Sequence, residues 1–245
     1  MELQAHDSRE DVSRAAAETV ALTVSEKPGA TLLLPTGSPP RGMYRELVRV
    51  YGEGGLSLSG ATIFNLDEYL GIPRDHPESY RRYMRENLYG FVDADPAKTH
   101  VPDAEAPDPE RECERYDAAI VAAGGADLCV LGIGRNGHIG FNEPGSPFSS
   151  RTRVVGLAES TRRANAAGFE EGGAPERAIT VGMQTIFESR RILLLASGTE
   201  KSEAVAAAVE GDVSPRIPAS MLREHPDVTF ILDREAASAL GEEVA

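Results

Sequence analysis

The sequence predicts an α/β fold: a mostly parallel, open, Rossmann-like sheet with helices on both faces. Three observations predict it. Short continuous apolar runs at 31–34, 61–66, 127–130, 191–196 and 228–232 read as strands buried on both sides. Stretches with helical periodicity alternate with these runs, the pattern of parallel strands joined by crossover helices. Small-residue or glycine-rich loops follow several of the runs, and open α/β sheets bind ligands beyond the carboxyl ends of their strands. No linker divides the chain, so residues 1–245 are expected to form one domain.

The elements follow in order. Residues 7–26 read as a helix, because Val12, Ala16, Val20 and Val24 recur every fourth position and acidic residues stand near the start, where the helix dipole favours them. Pro28-Gly29 ends it. After strand 31–34 comes the turn Pro35-Thr36-Gly37-Ser38-Pro39-Pro40 and a helix over 41–51. Strand, small-residue loop and helix together aim backbone N–H groups at an anion, which makes Thr36, Gly37 and Ser38 candidate binding residues; the same layout also serves as a plain turn. Strand 61–66 ends at the adjacent carboxylates Asp67 and Glu68, which either cap the next element or belong to a site on the same sheet edge.

Residues 77–89 read as a helix with Tyr80, Tyr83, Met84 and Leu88 on one face, 93–109 as a proline- and acid-rich excursion, and 109–123 as a helix feeding the central strand. Beyond the central loop, 158–169 reads as a helix, 178–181 as a short strand and 191–196 as the most apolar strand. Ser197-Gly198-Thr199 leads into a helix over 200–210 with Lys201 in its first turn. A cation there opposes the helix dipole, so Lys201 is either a surface residue or a contact for a phosphate or carboxylate. Strand 228–232 precedes Asp233, read as the cap of a terminal helix.

The centre of the chain is the stretch LGIGRNGHIGFNEPGSPFSSRTR, residues 131–153. Gly132, Gly134 and Gly137 let the backbone turn sharply and approach a ligand. Asn136, His138 and Glu143 sit just past the strand, and an imidazole with a carboxylate five residues on suggests proton transfer near neutral pH. The stretch is not a dinucleotide fingerprint, since no helix follows directly.

Composition excludes several classes. The 39 acidic against 25 basic residues give a net charge of −14, without the basic stripe of a nucleic-acid binder. Lysine occurs only at 27, 98 and 201, so an anion site must concentrate positive charge or N–H groups locally. No apolar run reaches membrane-spanning length, and the first residues lack the features of a signal peptide, so no membrane partner and a cytoplasmic location are expected. Cys113 and Cys129 make neither a disulfide framework nor a zinc site; Cys129 reads as a core residue. No metal-ligand cluster is visible.

Three segments together resemble the glucosamine-6-phosphate deaminase (isomerase) family: LPTGSPP at 34–40, FNLDEYLGIPRDHPESYRRYM at 64–84 and GIGRNGHIGFNEPGSPFSSRTR at 132–153. Weaker likeness runs through TRRANA at 161–166, AITVGM at 178–183 and SGTEKSEAVAAAVEG at 197–211. The family is similar in fold to 6-phosphogluconolactonases, but HIGFNEPG resembles the deaminases. The resemblance implies conversion of glucosamine 6-phosphate and water to fructose 6-phosphate and ammonium, without metal or organic cofactor.

It further implies that Asp67 moves the carbon-bound proton with Glu68 as its neighbour, that His138 opens the sugar ring, and that Glu143 supports His138. Asn136 stands where an Asp is frequent and can position the imidazole only by hydrogen bonding. Thr36, Gly37, Ser38 and Lys201 match the phosphate grip; Ala167 stands where an Arg is expected, with Arg162 or Arg163 as substitutes, and Pro39 has no N–H to donate. Arg153 and Ser146 resemble part of an allosteric site between subunits, but Val155 and Gly156 are apolar where polar residues are usual, so weak or absent activation is expected. A homo-oligomer is possible within the family. The competing readings are a lactone hydrolase, a deaminase of another amino sugar, and a non-catalytic sugar-phosphate sensor.

Overall fold

The computed structural model describes residues 1–164, 168–169 and 173–241. Seven strands form one sheet: β1 (Glu2–His6), β10 (Val228–Asp233), β9 (Arg191–Ala196), β6 (Leu128–Gly132), β2 (Thr31–Leu34), β3 (Thr62–Asn65) and β5 (Thr99–His100), in that spatial order. Every pairing in it is parallel. From β2 the chain proceeds outward to β3 and β5, then returns to β6 on the other side and proceeds through β9 and β10. The order therefore reverses between β2 and β6, and the loops leaving those two strands flank a crevice.

The apolar runs are continuous because both sheet faces are covered. Leu32, Leu34, Val130, Leu193 and Leu195 face α1 (Arg9–Glu26) and α2 (Arg41–Gly52), packing with Val12, Ala16, Val20, Met43, Tyr44 and Leu47. The alternate residues Leu33, Cys129, Leu131, Ile192 and Leu194 face α4 (Pro109–Ala122) and α7 (Ser202–Val209), packing with Tyr116, Ile120, Val205 and Ala208. A buried leucine gains about 1.5–3 kcal/mol from leaving water, so the two layers supply most of the driving force. Ser8 starts α1 by accepting from the Asp11 N–H at 3.2 Å, and Asp108 does the same for α4 toward Arg111. Cys113 and Cys129 are both free and buried.

A second, three-stranded antiparallel sheet was not expected. It comprises β4 (Asp67–Tyr69), β8 (Arg177–Thr180) and β7 (Arg153–Gly156), ordered β4-β8-β7. The 178–181 segment thus belongs to this sheet and not to the parallel one. The small sheet covers its own apolar cluster of Tyr69, Ile72, Phe141, Leu157 and Ala178.

Other boundaries differ from the sequence reading. β1, ELQAH, is an edge strand with no buried residue, so it carries no apolar signal. The helix read over 77–89 begins at Tyr80 as α3 (Tyr80–Met84) and continues as a π turn over Arg85–Tyr89. Of the helix read over 158–169, α5 covers Glu159–Ala164 and Phe169 is irregular; residues 165–167 lie outside the described residues. A short α6 (Met183–Phe187) follows β8. Among the described residues no helix follows Asp233: its carboxylate accepts from Ala236 N–H and also from Gly198 N–H at 3.0 Å, tying a run of turns to the β9 loop.

Candidate active site

The four loops that leave β2, β3, β6 and β9 meet at one sheet edge because the strands are parallel. Between them lies a cleft of about 810 Å³. Thr36, Gly37, Ser38, Asp67, Asn136, His138 and Lys201 all line it. Glu143 does not; it stands behind His138.

The β2 loop turns at Gly37, whose φ of 86° is costly for any other residue. Its carbonyls are taken from behind: Tyr83 Oη donates to Gly37 O at 2.6 Å and Tyr44 Oη to Pro35 O at 2.5 Å. Pro39 packs on Gly132 of β6, where a Cβ would come within 3.2 Å of the proline ring. The loop therefore presents Thr36, Gly37 and Ser38 from a fixed backbone.

Asp67 opens β4 and is 6% exposed. Burial, reinforced by the neighbouring Glu68 charge, pushes its carboxyl up to about 8, against a smaller downward pull from the Thr36 side chain. Glu68 points elsewhere. Its carboxylate accepts from the N–H groups of Tyr69, Tyr80 and Arg81 at 2.9–3.0 Å, capping α3, although burial still lifts it to about 7. The capping alternative thus describes Glu68, while Asp67 faces the cleft. α3 in turn sets Tyr80 in the cleft wall.

The β6 loop is tight. Gly134 N–H donates to His138 O at 2.9 Å, and the imidazole lies so close over Gly134 that any Cβ there would meet it at 2.3 Å. Asn136 bridges the loop: its Nδ2 donates to Glu143 Oε2 at 2.8 Å, and its Oδ1 accepts from His138 N–H at 3.3 Å. Thr161 Oγ1, from α5, donates to the other Glu143 oxygen. His138 Nδ1 stands 3.5 Å from Glu143 Oε2 and has no hydrogen-bond partner among the described residues. This is ion-pair distance, loose for a hydrogen bond. Burial would raise the Glu143 carboxyl, but His138, Thr161 and Asn136 outweigh it and hold it down at about 2. Glu143 is therefore a fixed negative charge behind the imidazole.

Lys201 lies in a 3₁₀ turn, Thr199–Lys201, just ahead of α7, and not in the first turn of an α-helix. Its Nζ donates to Ile133 O at 2.8 Å. Burial lowers its pKa, Glu200 opposes this, and the positive charges of Arg135 and Arg9 lower it further. Arg135 itself lines the cleft. Sequence reasoning missed it, since the loop drew attention to Asn136 and His138 on either side. Arg162 and Arg163 do not substitute for an arginine in the cleft: Arg162 faces Ala174 O and Glu176, and Arg163 pairs with Glu159. Position 167 lies outside the described residues. Among the described residues, no three His, Cys, Asp or Glu side chains are grouped to hold a metal ion. No helix among them is long and apolar enough to cross a membrane.

The cleft thus brings together a buried carboxyl, an imidazole, two cations and a small-residue loop. Comparisons with known proteins identify the family. Residues 4–231 match the family described as glucosamine-6-phosphate isomerases/6-phosphogluconolactonase. A glucosamine-6-phosphate deaminase of Halothermothrix orenii is 48% identical over 241 residues, covering 98% of this chain and 100% of that protein. Glucosamine-6-phosphate deaminase 1 of Bacillus subtilis is 49% identical over 230 residues, covering 94% and 95%. Among solved structures, one described as a monomeric glucosamine-6-phosphate deaminase superposes with a TM-score of 0.94 at 47% identity, covering 98% of this chain and 100% of that one. A 6-phosphogluconolactonase from Trypanosoma cruzi superposes at 0.78 with 20% identity over 98% of this chain and 96% of that one, a likeness of fold alone.

Proposed function

The chain belongs to the glucosamine-6-phosphate isomerase/6-phosphogluconolactonase family, and from that premise we propose that it is a glucosamine-6-phosphate deaminase. It converts glucosamine 6-phosphate and water to fructose 6-phosphate and ammonium, a step in amino-sugar breakdown. The observation that carries this reading is that one cleft holds both an acid and a pair of cations. Asp67 lines it, and so do the neighbouring Lys201 and Arg135. An amino-sugar phosphate has the complementary arrangement, an ammonium and a phosphate on one small molecule. A phosphogluconolactone has the phosphate but no cation for Asp67.

Each group then has a task. The Thr36, Gly37 and Ser38 loop, Lys201 and Arg135 hold the phosphate; a charge-assisted contact of this kind is worth about 1.5–3 kcal/mol. Arg135 supplies the guanidinium that Ala167 does not. His138, with Glu143 fixed behind it and Asn136 setting the loop, exchanges a proton with the ring oxygen as the sugar opens. Asp67 takes the proton from carbon 2 and returns one to carbon 1; water then adds to the imine at carbon 2, and the carbon–nitrogen bond breaks to leave the ketone and release ammonia. Burial and the Glu68 charge let Asp67 hold its proton up to about pH 8. The substrate's ammonium, arriving nearby, favours the ionised carboxylate, so the base is charged by the molecule it acts on.

The reading extends to assembly and location. We read residues 1–245 as one domain acting in the cytoplasm, and the relative described as a monomeric glucosamine-6-phosphate deaminase supports a monomer over the homo-oligomer the family also allows. Arg153 is committed within the chain to Asn142 and Ser146, at 2.8 and 3.0 Å, and Val155 and Gly156 add no charge beside it. Kinetics are therefore hyperbolic and indifferent to N-acetylglucosamine 6-phosphate.

The test is ammonium release from glucosamine 6-phosphate with coupled detection of fructose 6-phosphate, run beside unphosphorylated glucosamine and a lactonase assay. Release from the phosphate ester alone is the expected result. Arg135→Ala raises KM roughly 10-fold with little change in kcat. Lactone hydrolysis without ammonium, or activity on glucosamine only, would overturn the proposal.

A further inference from the structure

The catalytic groups come from two elements that are far apart in sequence: Asp67 on β4 and His138 in the loop after β6. Proton transfer requires them at a fixed separation, and an error of 1 Å costs roughly 100-fold in rate. The small antiparallel sheet contains the device that fixes it. Asp67, Thr180 and Arg153 are cross-strand neighbours in one row, since Asp67 pairs with Thr180 and Thr180 with Arg153. Each member of that row meets a successive residue of the His138 loop.

Gly140 passes so close to the first two that a Cβ on it would lie 3.3 Å from Asp67 Oδ2 and 3.1 Å from Thr180 Oγ1. Thr180 Oγ1 accepts from Phe141 N–H at 3.1 Å. Asn142 Oδ1 accepts from Arg153 Nη1 at 2.8 Å, while its Nδ2 donates to Ile139 O at 3.0 Å and to Val181 O at 2.9 Å. Thr180 and Asn142 are both 0% exposed, and neither lines the cleft. A buried amide that meets three partners, one of them a charged guanidinium, is specified in position and orientation. The attachment falls between His138 and Glu143, so it holds both ends of that pair as well as their distance from Asp67.

We infer that Thr180 and Asn142 are positioning residues that clamp the His138 loop onto the small sheet that bears Asp67 and thereby set the spacing of the two proton-transferring groups. The inference rests on the reading of Asp67 and His138 as the working pair. It goes beyond that reading because it assigns a kinetic role to two residues that cannot touch substrate.

Thr180→Val tests it, because valine keeps the shape and the β-branch but removes the acceptor for Phe141 N–H. The expected result is a fall in kcat of roughly 10-fold or more, with KM and inhibition by inorganic phosphate within about twofold of wild type. Thr180→Ser, which restores the hydroxyl, recovers most of kcat. The Cε1–H proton resonance of His138, assigned by its loss in His138→Gln, moves in Thr180→Val and returns in Thr180→Ser. Asn142→Asp keeps the acceptor for Arg153 but removes both amide donors; it lowers kcat in the same way and supplies the answer if the valine variant does not fold. Wild-type kcat together with an unmoved His138 resonance in Thr180→Val overturns the clamp. So does a serine variant as slow as the valine. A wild type that releases no ammonium overturns the functional reading, and the His138 resonance then still decides the clamp.

Discussion

At the scale of single residues, the contrast between Asp67 and Glu143 organises the site. Both are largely withdrawn from water, yet burial and the Glu68 charge push Asp67 up to about 8, whereas three polar neighbours hold Glu143 down at about 2. One carboxyl takes up a proton readily and the other is a permanent charge. Asp67→Asn and His138→Gln are each expected to lower turnover roughly 100-fold or more while thermal unfolding stays cooperative. The raised Asp67 value also has a consequence for stability. Unfolded, this carboxyl ionises near pH 4. Between there and pH 8 the unfolded chain binds fewer protons than the folded one, so Asp67 lowers stability progressively over that window. Glu143 acts with the opposite sign: its contribution is complete above about pH 4.5 and is lost as pH falls toward 2. Asp67→Asn should therefore raise the unfolding midpoint by several degrees at pH 8 and scarcely at pH 4. Calorimetry at both pH values checks this, and an equal shift at both would contradict it.

Among the elements, short pieces do the positioning. α3 is only five residues long and continues as a π turn, and its first N–H groups are satisfied by Glu68 from β4. That carboxylate links the strand of the base to the helix that carries Tyr80 into the cleft. Glu68→Ala would leave three N–H groups, one buried and two partly buried, without an acceptor, at a cost of about 1–3 kcal/mol each where water cannot reach them. Loss of denaturant stability by a comparable amount, with a raised KM from the loosened Tyr80 wall, is the expected outcome. An unchanged midpoint would mean that α3 caps itself. Local pattern alone could not divide the tasks of the adjacent carboxylates, because a cap and a base share one residue type; the family resemblance pointed to Asp67, and only the fold gave Glu68 its cap. The π turn was likewise not legible: Leu88 and Tyr89 fit an α-helical face equally well. β1 and β7 escaped notice for a different reason. Edge strands bury little, so neither carries the apolar run by which the inner strands are read.

For the whole molecule, charge sets the terms. A chain of net charge −14 repels anions at long range. Lys201, Arg135 and Arg9 nevertheless stand near enough for the two arginines to lower the lysine's pKa. The local field they make acts at short range, within a Debye length that shrinks from about 10 Å at 0.1 M salt to about 3 Å at 1 M. KM for the phosphate ester is thus expected to rise severalfold between those salt concentrations while kcat changes little. Steady-state kinetics across the series checks it, and a KM that falls with salt would place the repulsion of the acidic surface above the attraction of the cleft.

The sequence by itself determined the parallel α/β layout, the edge on which loops gather, and the identities of Thr36, Gly37, Ser38, Asp67, Asn136, His138, Glu143 and Lys201 as candidates. These are properties of local pattern: a run of Leu32, Leu33 and Leu34 needs two covered faces, and a glycine-rich turn needs little beyond itself. Tertiary structure decided that Arg135 shares the cleft with Lys201, and that Arg162 and Arg163 face elsewhere. It also placed Asp67 in the cleft and Glu68 under a helix, and set Thr180 in register between Asp67 and Arg153. The physical reason is distance along the chain. Pairing residues 67, 180 and 153 depends on strand register across two connections, and neither register nor the direction of a long side chain is written in the residues next to it.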